Sequence, residues 1–198
     1  MSDSEVKSLP LAQRRRLLGL IVPIVNLPLF IYNLYQTFVH IQEGLVIGSQ
    51  TFWEDAIVLT LTLLVTILIT RSFPLYPSSY FLKEKGLTIK RFLRRTVVIP
   101  YKEIDRVEVY VRVDDEISKE ATEYATDQSA ILRKSGFKFN DYTNAEKKIL
   151  NLFTGKKIYM ISPEKPKSLL KELKRKNRKL TARIVELTKR GKRVQDLK

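Results

Sequence analysis

Two uncharged apolar runs stand at the front of the chain, Leu17–Val39 and Ala56–Thr70. A helix crossing a hydrocarbon core about 30 Å thick needs roughly 20 apolar residues, and the first run meets that. The second covers about 22 Å at a rise of about 1.5 Å per residue. It spans if Asp55 and Arg71 snorkel to the two interfaces. Phe52, Trp53, Phe73 and Tyr76 mark its ends, where aromatic rings favour the headgroup zone. The pattern predicts a two-helix transmembrane hairpin over residues 17–71, with an outer loop at 40–55 and bends at Pro23 and Pro28. A buried core helix is the alternative for either run. A cleaved signal peptide is disfavoured by the length of the run and the lack of a small-residue cleavage site.

Polar side chains inside a membrane are costly and face a partner. Asn26 and Asn33 lie seven residues apart, on one helix face, while Thr62, Thr66 and Thr70 repeat every four. These five are the expected packing residues. Asn26 and Thr62 fall at similar depth in an antiparallel hairpin, and each interhelical hydrogen bond there is worth about 1 kcal/mol.

Beyond a proline-bearing connector at 72–78, the period changes from helical to two. Tyr80–Lys83 and Leu87–Leu93 alternate around Lys85-Gly86 and predict a hairpin. Val97–Ile99 predicts a third strand. In Ile104–Val113 the valines at 107, 109, 111 and 113 alternate with Glu108, Tyr110 and Arg112. Residues 114–127 show no clear period, and helix, strand or loop all remain open there. Ala130–Arg133 and Gly136–Phe139 are read as a strand pair, and Lys148–Phe153 with Lys156–Ile161 as a hairpin about Thr154-Gly155. Leu169, Leu170, Leu173, Leu180, Ile184 and Leu187 recur at helical spacing and predict a long basic helix reaching about Arg190. The expected architecture is thus a cytoplasmic flank (1–16), the membrane α-hairpin, a small antiparallel β-barrel or sandwich (79–163), and a basic C-terminal capping helix and tail (164–198).

Charge fixes an orientation. Of 36 Lys and Arg, only Lys7, Arg14, Arg15 and Arg16 precede the hairpin, and none lies in the 40–55 loop. Positive residues stay on the cytoplasmic side, so a two-pass cell-membrane protein with both termini in the cytoplasm is expected. The whole chain carries +15, and residues 164–198 alone carry +10. Such a surplus implies an anionic neighbour. The expected anionic-surface residues are Arg14, Arg15, Arg16, Lys174, Arg175, Lys176, Arg178, Lys179, Lys189, Arg190, Lys192 and Arg193. Each contributes about 1 kcal/mol near an anionic leaflet. Nucleic acid or a ribosome is the competing partner. The tail has no aromatic after Tyr159 for base stacking, which leaves backbone binding as that partner's mode.

The runs Gly86-Leu-Thr-Ile-Lys90, Val98-Ile-Pro-Tyr-Lys-Glu-Ile-Asp-Arg-Val107 and Ile161-Ser-Pro-Glu-Lys-Pro-Lys-Ser-Leu-Leu-Lys-Glu-Leu173 resemble the bacterial and archaeal pleckstrin-homology-like domains. Small members of that family carry a transmembrane pair just before the domain, as here. The resemblance runs from about Ser79 to Lys176, departs from the family pattern over 114–147, and implies a fold without carrying a ligand across.

Chemistry is sparse. There is no cysteine and one histidine, His40, and no Gly-rich phosphate loop or serine elbow. His40 with Glu43 makes a poor metal site, and Asp114-Asp-Glu116 lacks the glycine and spacing of a calcium loop. No catalytic residue, metal or cofactor is expected. The expectation is a non-catalytic, membrane-anchored interaction module or accessory subunit with a protein partner of unread identity. A membrane tether for nucleic acid or ribosomes is the alternative.

Overall fold

The computed structural model describes residues 4–72, 76–114 and 119–197. It divides into two compact units. One holds Gln13–Tyr76 with Phe92–Arg94; the other holds the arm through Ala12, Pro77–Arg91 and the chain from Arg95 onward.

In the first unit, α1 (Gln13–Gln42) and α2 (Gln50–Ser72) form the predicted hairpin. Both are long and apolar enough to cross a membrane. The connection is shorter than the predicted loop and turns through Gly44 and Gly48, at φ +92° and +90°, which side-chain-bearing residues rarely adopt. Large apolar side chains point outward on both helices, Ile24, Val25, Ile57 and Leu61 among them. The seam between the helices carries the polar residues. Asn26 Nδ2 donates to Thr66 Oγ1 at 3.3 Å, one turn from the expected Thr62. Thr66 and Thr62 return their own hydroxyl protons to carbonyls of the preceding turn, Thr62 O and Val58 O. Asn33 Nδ2 is buried without a partner among the described residues, and the side chain of Thr70 lies outside them. His40 Nδ1 meets Asp55 Oδ2 at 2.8 Å, tying the end of α1 to the start of α2. A double-mutant cycle of Asn26→Leu and Thr66→Val, read as unfolding of the full chain in detergent, is expected to give a coupling of about 0.6–1 kcal/mol. A coupling of zero would mean that the bond contributes nothing.

The second unit holds two sheets. The four-stranded one has the order β1-β2-β3-β4: β1 (Ser4–Val6), β2 (Ser79–Leu82), β3 (Leu87–Lys90) and β4 (Val97–Ile99). A 3-10 turn, Tyr101–Glu103, then leads to β5 (Arg106–Arg112), the centre of a six-stranded sheet. That sheet also contains β6 (Lys138–Asp141), β7 (Lys148–Thr154), β8 (Lys157–Ile161), β9 (Thr181–Thr188) and β10 (Gly191–Leu197), ordered β10-β9-β5-β7-β8-β6. α3 (Lys119–Lys134) follows β5, and α4 (Pro166–Lys176) follows β8. One core serves both sheets. Tyr80, Leu87, Ile89, Val107, Val109, Leu150, Leu152 and Ile161 are all fully buried, and Leu170 and Leu173 of α4 close over them. Burying each such side chain stabilises by about 2 kcal/mol.

Several expectations need correction. The sheets are not closed into a barrel: among the described residues no ladder joins β4 to β5, and the 3-10 turn stands between them. The ladders are also not purely antiparallel, since β5–β9 and β6–β8 run parallel. The long basic helix does not form. α4 stops at Lys176, and Asn177 turns its Nδ2 to Tyr101 O and Ile104 O. Residues 181–197 become a hairpin instead, because β9 fills the free edge of β5 over the register Arg106↔Thr181 to Arg112↔Leu187. Thr181, Ile184, Val185 and Thr188 suit a strand as β-branched residues. Their apolar positions alternate by two as readily as they fit a helix. The strand pair proposed around Ala130–Arg133 is the end of α3, and β6 pairs with β8. The N-terminal flank contributes β1.

Candidate functional site

β1 pairs with β2 in the register Ser4↔Leu82, Glu5↔Phe81, Val6↔Tyr80. A strand before the hairpin therefore joins a strand after it. The junction is held by Asn144, which is fully buried. Its Oδ1 accepts from Ser78 N at 2.7 Å. Its Nδ2 donates to Ser78 O at 3.1 Å and to Leu9 O at 2.9 Å. Its backbone carbonyl accepts from Ala12 N at 2.9 Å, and its backbone N–H donates to Ser162 Oγ at 2.6 Å. One side chain thus ties the last residues before α1 to the first after α2. Tyr80 supports it from below, donating its hydroxyl to Tyr142 O at 2.7 Å and accepting from Ser162 N at 3.1 Å. Burial raises the Tyr80 phenol above its ordinary pKa, so it remains a donor. Nothing local shows that a turn asparagine will meet chain 135 residues away.

The basic residues do not lie along one helix. Lys174, Arg175 and Lys176 end α4, and Arg178 and Lys179 lie in the following turn. Lys189 and Arg190 lie at the other end of β9, with Lys192 and Arg193 on β10. At about 3.3 Å per strand residue the two groups stand roughly 23 Å apart. Several are engaged: Arg175 pairs with Glu172 at 2.6 Å, and Lys192 Nζ sits 3.6 Å from the centroid of the Tyr124 ring. Arg14 and Arg16 are exposed at the start of α1, in the other unit.

Two recesses remain. A groove of about 580 Å³ runs between the outer edge of β1 and α4, with Lys7, Lys83 and Arg175 set against Glu5, Glu84 and Glu172. A cavity of about 120 Å³ lies under α3 on the opposite face of the six-stranded sheet. Tyr110, in its wall, donates to Glu108 Oε2 at 3.0 Å, and beyond the cavity Arg106 Nε lies 3.5 Å from the same buried carboxylate. Burial, then the Glu108 charge, raise the Tyr110 phenol well above its ordinary value, so it acts as a donor and not as a base. Asn151 Oδ1 in that wall has no partner among the described residues. No cluster of three or more His, Cys, Asp or Glu that could hold a metal occurs among the described residues.

The family model of the bacterial PH domain matches residues 78–177. The chain belongs to that family. The PH domain so delimited takes in β2–β8 with α3 and α4, and the two apolar helices precede it. The resemblance read from Gly86–Lys90, Val98–Val107 and Ile161–Leu173 falls within the match. β1, β9 and β10 lie outside it: β1 widens the first sheet from before the hairpin, and β9 with β10 widens the second from beyond α4. Among curated proteins and among solved structures, none matches the chain.

Proposed function

We propose that this PH-domain protein is a non-catalytic, membrane-anchored interaction module, or accessory subunit of a membrane complex, with both termini in the cytoplasm. The pairing of β1 with β2 carries the reading. It returns both ends of the hairpin to one folded unit, so a hairpin that enters a bilayer must come back to the side it left. Lipid tails would cover the outward apolar side chains of α1 and α2, which water would solvate at high cost. The absence of Lys and Arg from the 40–55 loop supports an outside position for that loop. The β1–α4 groove is the surface offered to a protein partner, and its mixed charge suits a polar segment of either sign. The two basic clusters supply anionic headgroup contacts. Their separation breaks the continuous basic stripe that the nucleic-acid alternative needs.

The cysteine-free chain makes the test direct. Ile47→Cys in the helix connection should react with a membrane-impermeant maleimide on intact cells, and Ser168→Cys in α4 only after permeabilisation. Protection of Cys at 47, external labelling at 168, or a chain that stays in buffer without detergent would overturn the reading. Photo-crosslinking from position 168 should then capture a specific membrane-complex protein. Capture of RNA there instead would favour the tether.

A further inference from the structure

The turn between β3 and β4 has an unusual tip. Turns favour Gly, Asn, Asp and Ser, yet this one presents Phe92 and Leu93, 52% and 47% exposed. Leu93 holds φ +58°, a left-handed conformation that crowds a branched side chain. An apolar pair is thus held outward by a backbone that Leu disfavours, a combination that folding alone does not call for. Cations bracket it in sequence: Lys90 and Arg91 before, Arg94 and Arg95 after. Arg91 anchors the base, its Nη1 donating to Asp141 O at 2.6 Å. Phe92–Arg94 group with the hairpin rather than with the rest of the chain. The Phe92 ring meets Tyr76 edge to face, with centroids 5.2 Å apart. Tyr76 is itself exposed and lies four residues past the end of α2 at Ser72. Residues at that distance from a membrane helix sit at headgroup depth, where tyrosine partitions.

We propose that Phe92 and Leu93, with Tyr76 beside them, form a wedge that inserts into the headgroup–acyl boundary of an anionic bilayer, with Arg94 and Arg95 on its phosphate side. The wedge rests on the reading of the hairpin as membrane-spanning. It is a separate surface from the two basic clusters and from the groove. Its chemistry is that of an interfacial anchor: a small apolar tip buried about 5–10 Å deep, collared by cations.

The chain has a single tryptophan, Trp53, so position 92 can be read alone. The full chain carrying Trp53→Phe and Phe92→Trp is reconstituted into phosphatidylcholine–phosphatidylglycerol vesicles containing lipids brominated near the carbonyl end of the acyl chain. Trp at 92 should emit at shorter wavelength than in an unfolded control and lose about half its intensity to the bromines, as expected for a depth of ~5–10 Å. Replacing Arg94 and Arg95 by Gln, or removing the phosphatidylglycerol, should reduce that quenching. The unmutated chain, read through Trp53, reports the hairpin independently. Quenching of Trp53 with Trp at 92 left open to aqueous iodide would overturn the wedge and leave the hairpin standing. A Trp at 92 shielded from both bromines and iodide would mean that a second copy or another protein covers the tip, which also overturns it. No quenching at either position would remove the membrane reading and the wedge together.

Discussion

Asn144→Ala is expected to destabilise the PH domain unit by about 3–5 kcal/mol and to free the arm that precedes the hairpin. The side chain satisfies three backbone groups, the buried Ser78 N and Ser78 O and the half-buried Leu9 O. Each such group left without a partner costs about 1–3 kcal/mol, and water entering the vacated volume recovers part of that. Thermal unfolding of the full chain in detergent should shift down by roughly 10 °C, at about 2–4 °C per kcal/mol for a chain of this size. Limited proteolysis after Lys7 should accelerate in the same variant. Asn144→Asp keeps the acceptor for Ser78 N but loses both donors, and should retain only part of the protection. An unchanged midpoint with an unchanged cleavage rate would show that the arm is held by its β1–β2 ladder alone.

Gly86→Ala is expected to cost about 3 kcal/mol or more. An added Cβ would lie 2.2 Å from Ile99 O and 2.8 Å from Ile99 C. These are backbone atoms of the neighbouring strand and cannot rotate away, so the β3–β4 ladder at Leu87↔Ile99 must open. Overpacking at a site that cannot relax sits at the upper end of such penalties. Lys85→Ala, one residue earlier and exposed, should change stability by less than about 0.5 kcal/mol. Chemical denaturation of both variants checks the contrast, and a mild Gly86→Ala would mean that the turn has room to shift. This glycine was read as a turn residue from sequence. Its actual constraint is the closeness of the next strand.

Local pattern was reliable where one face decided the element. The charge-free runs gave α1 and α2. The valines of 107, 109 and 111 gave β5, and Thr154-Gly155 gave the β7–β8 hairpin, because each signal lies within one element or between adjacent ones. It failed where a distant edge decided. Residues 180–187 satisfy both a period near 3.6 and a period of two. The free edge of β5, some seventy positions earlier, selected the strand. Ser4-Glu5-Val6 has no pattern of its own and becomes a strand only because β2 offers it an edge. α3 half-buries a narrow stripe including Tyr124 and Leu132, too thin to stand out against the polar residues between.

The candidate sites divide the same way. The basic residues were legible by composition, yet their partition into two groups on either side of β9 follows from a strand that sequence read as helix. Asn26 bonds Thr66 where spacing alone points to Thr62, since the two threonines share a face and only the packing of α1 on α2 chooses between them. The exposed Phe92-Leu93 tip was hidden, because an apolar pair at the end of an alternating run looks like more strand until its turn is seen.

By itself the amino-acid order determined two apolar helices, a cationic remainder, the β-rich PH domain and the absence of thiol chemistry, all of which depend on the kind and spacing of near neighbours. Only the tertiary structure decided that the segment before the hairpin completes the sheet after it, that the last residues form strands, and that Asn144 holds both junctions. Hydrogen bonds between strands are made by backbone groups that every residue carries, so their pairing leaves little mark on composition. It is settled by which edges and buried polar atoms remain unsatisfied once the core has formed.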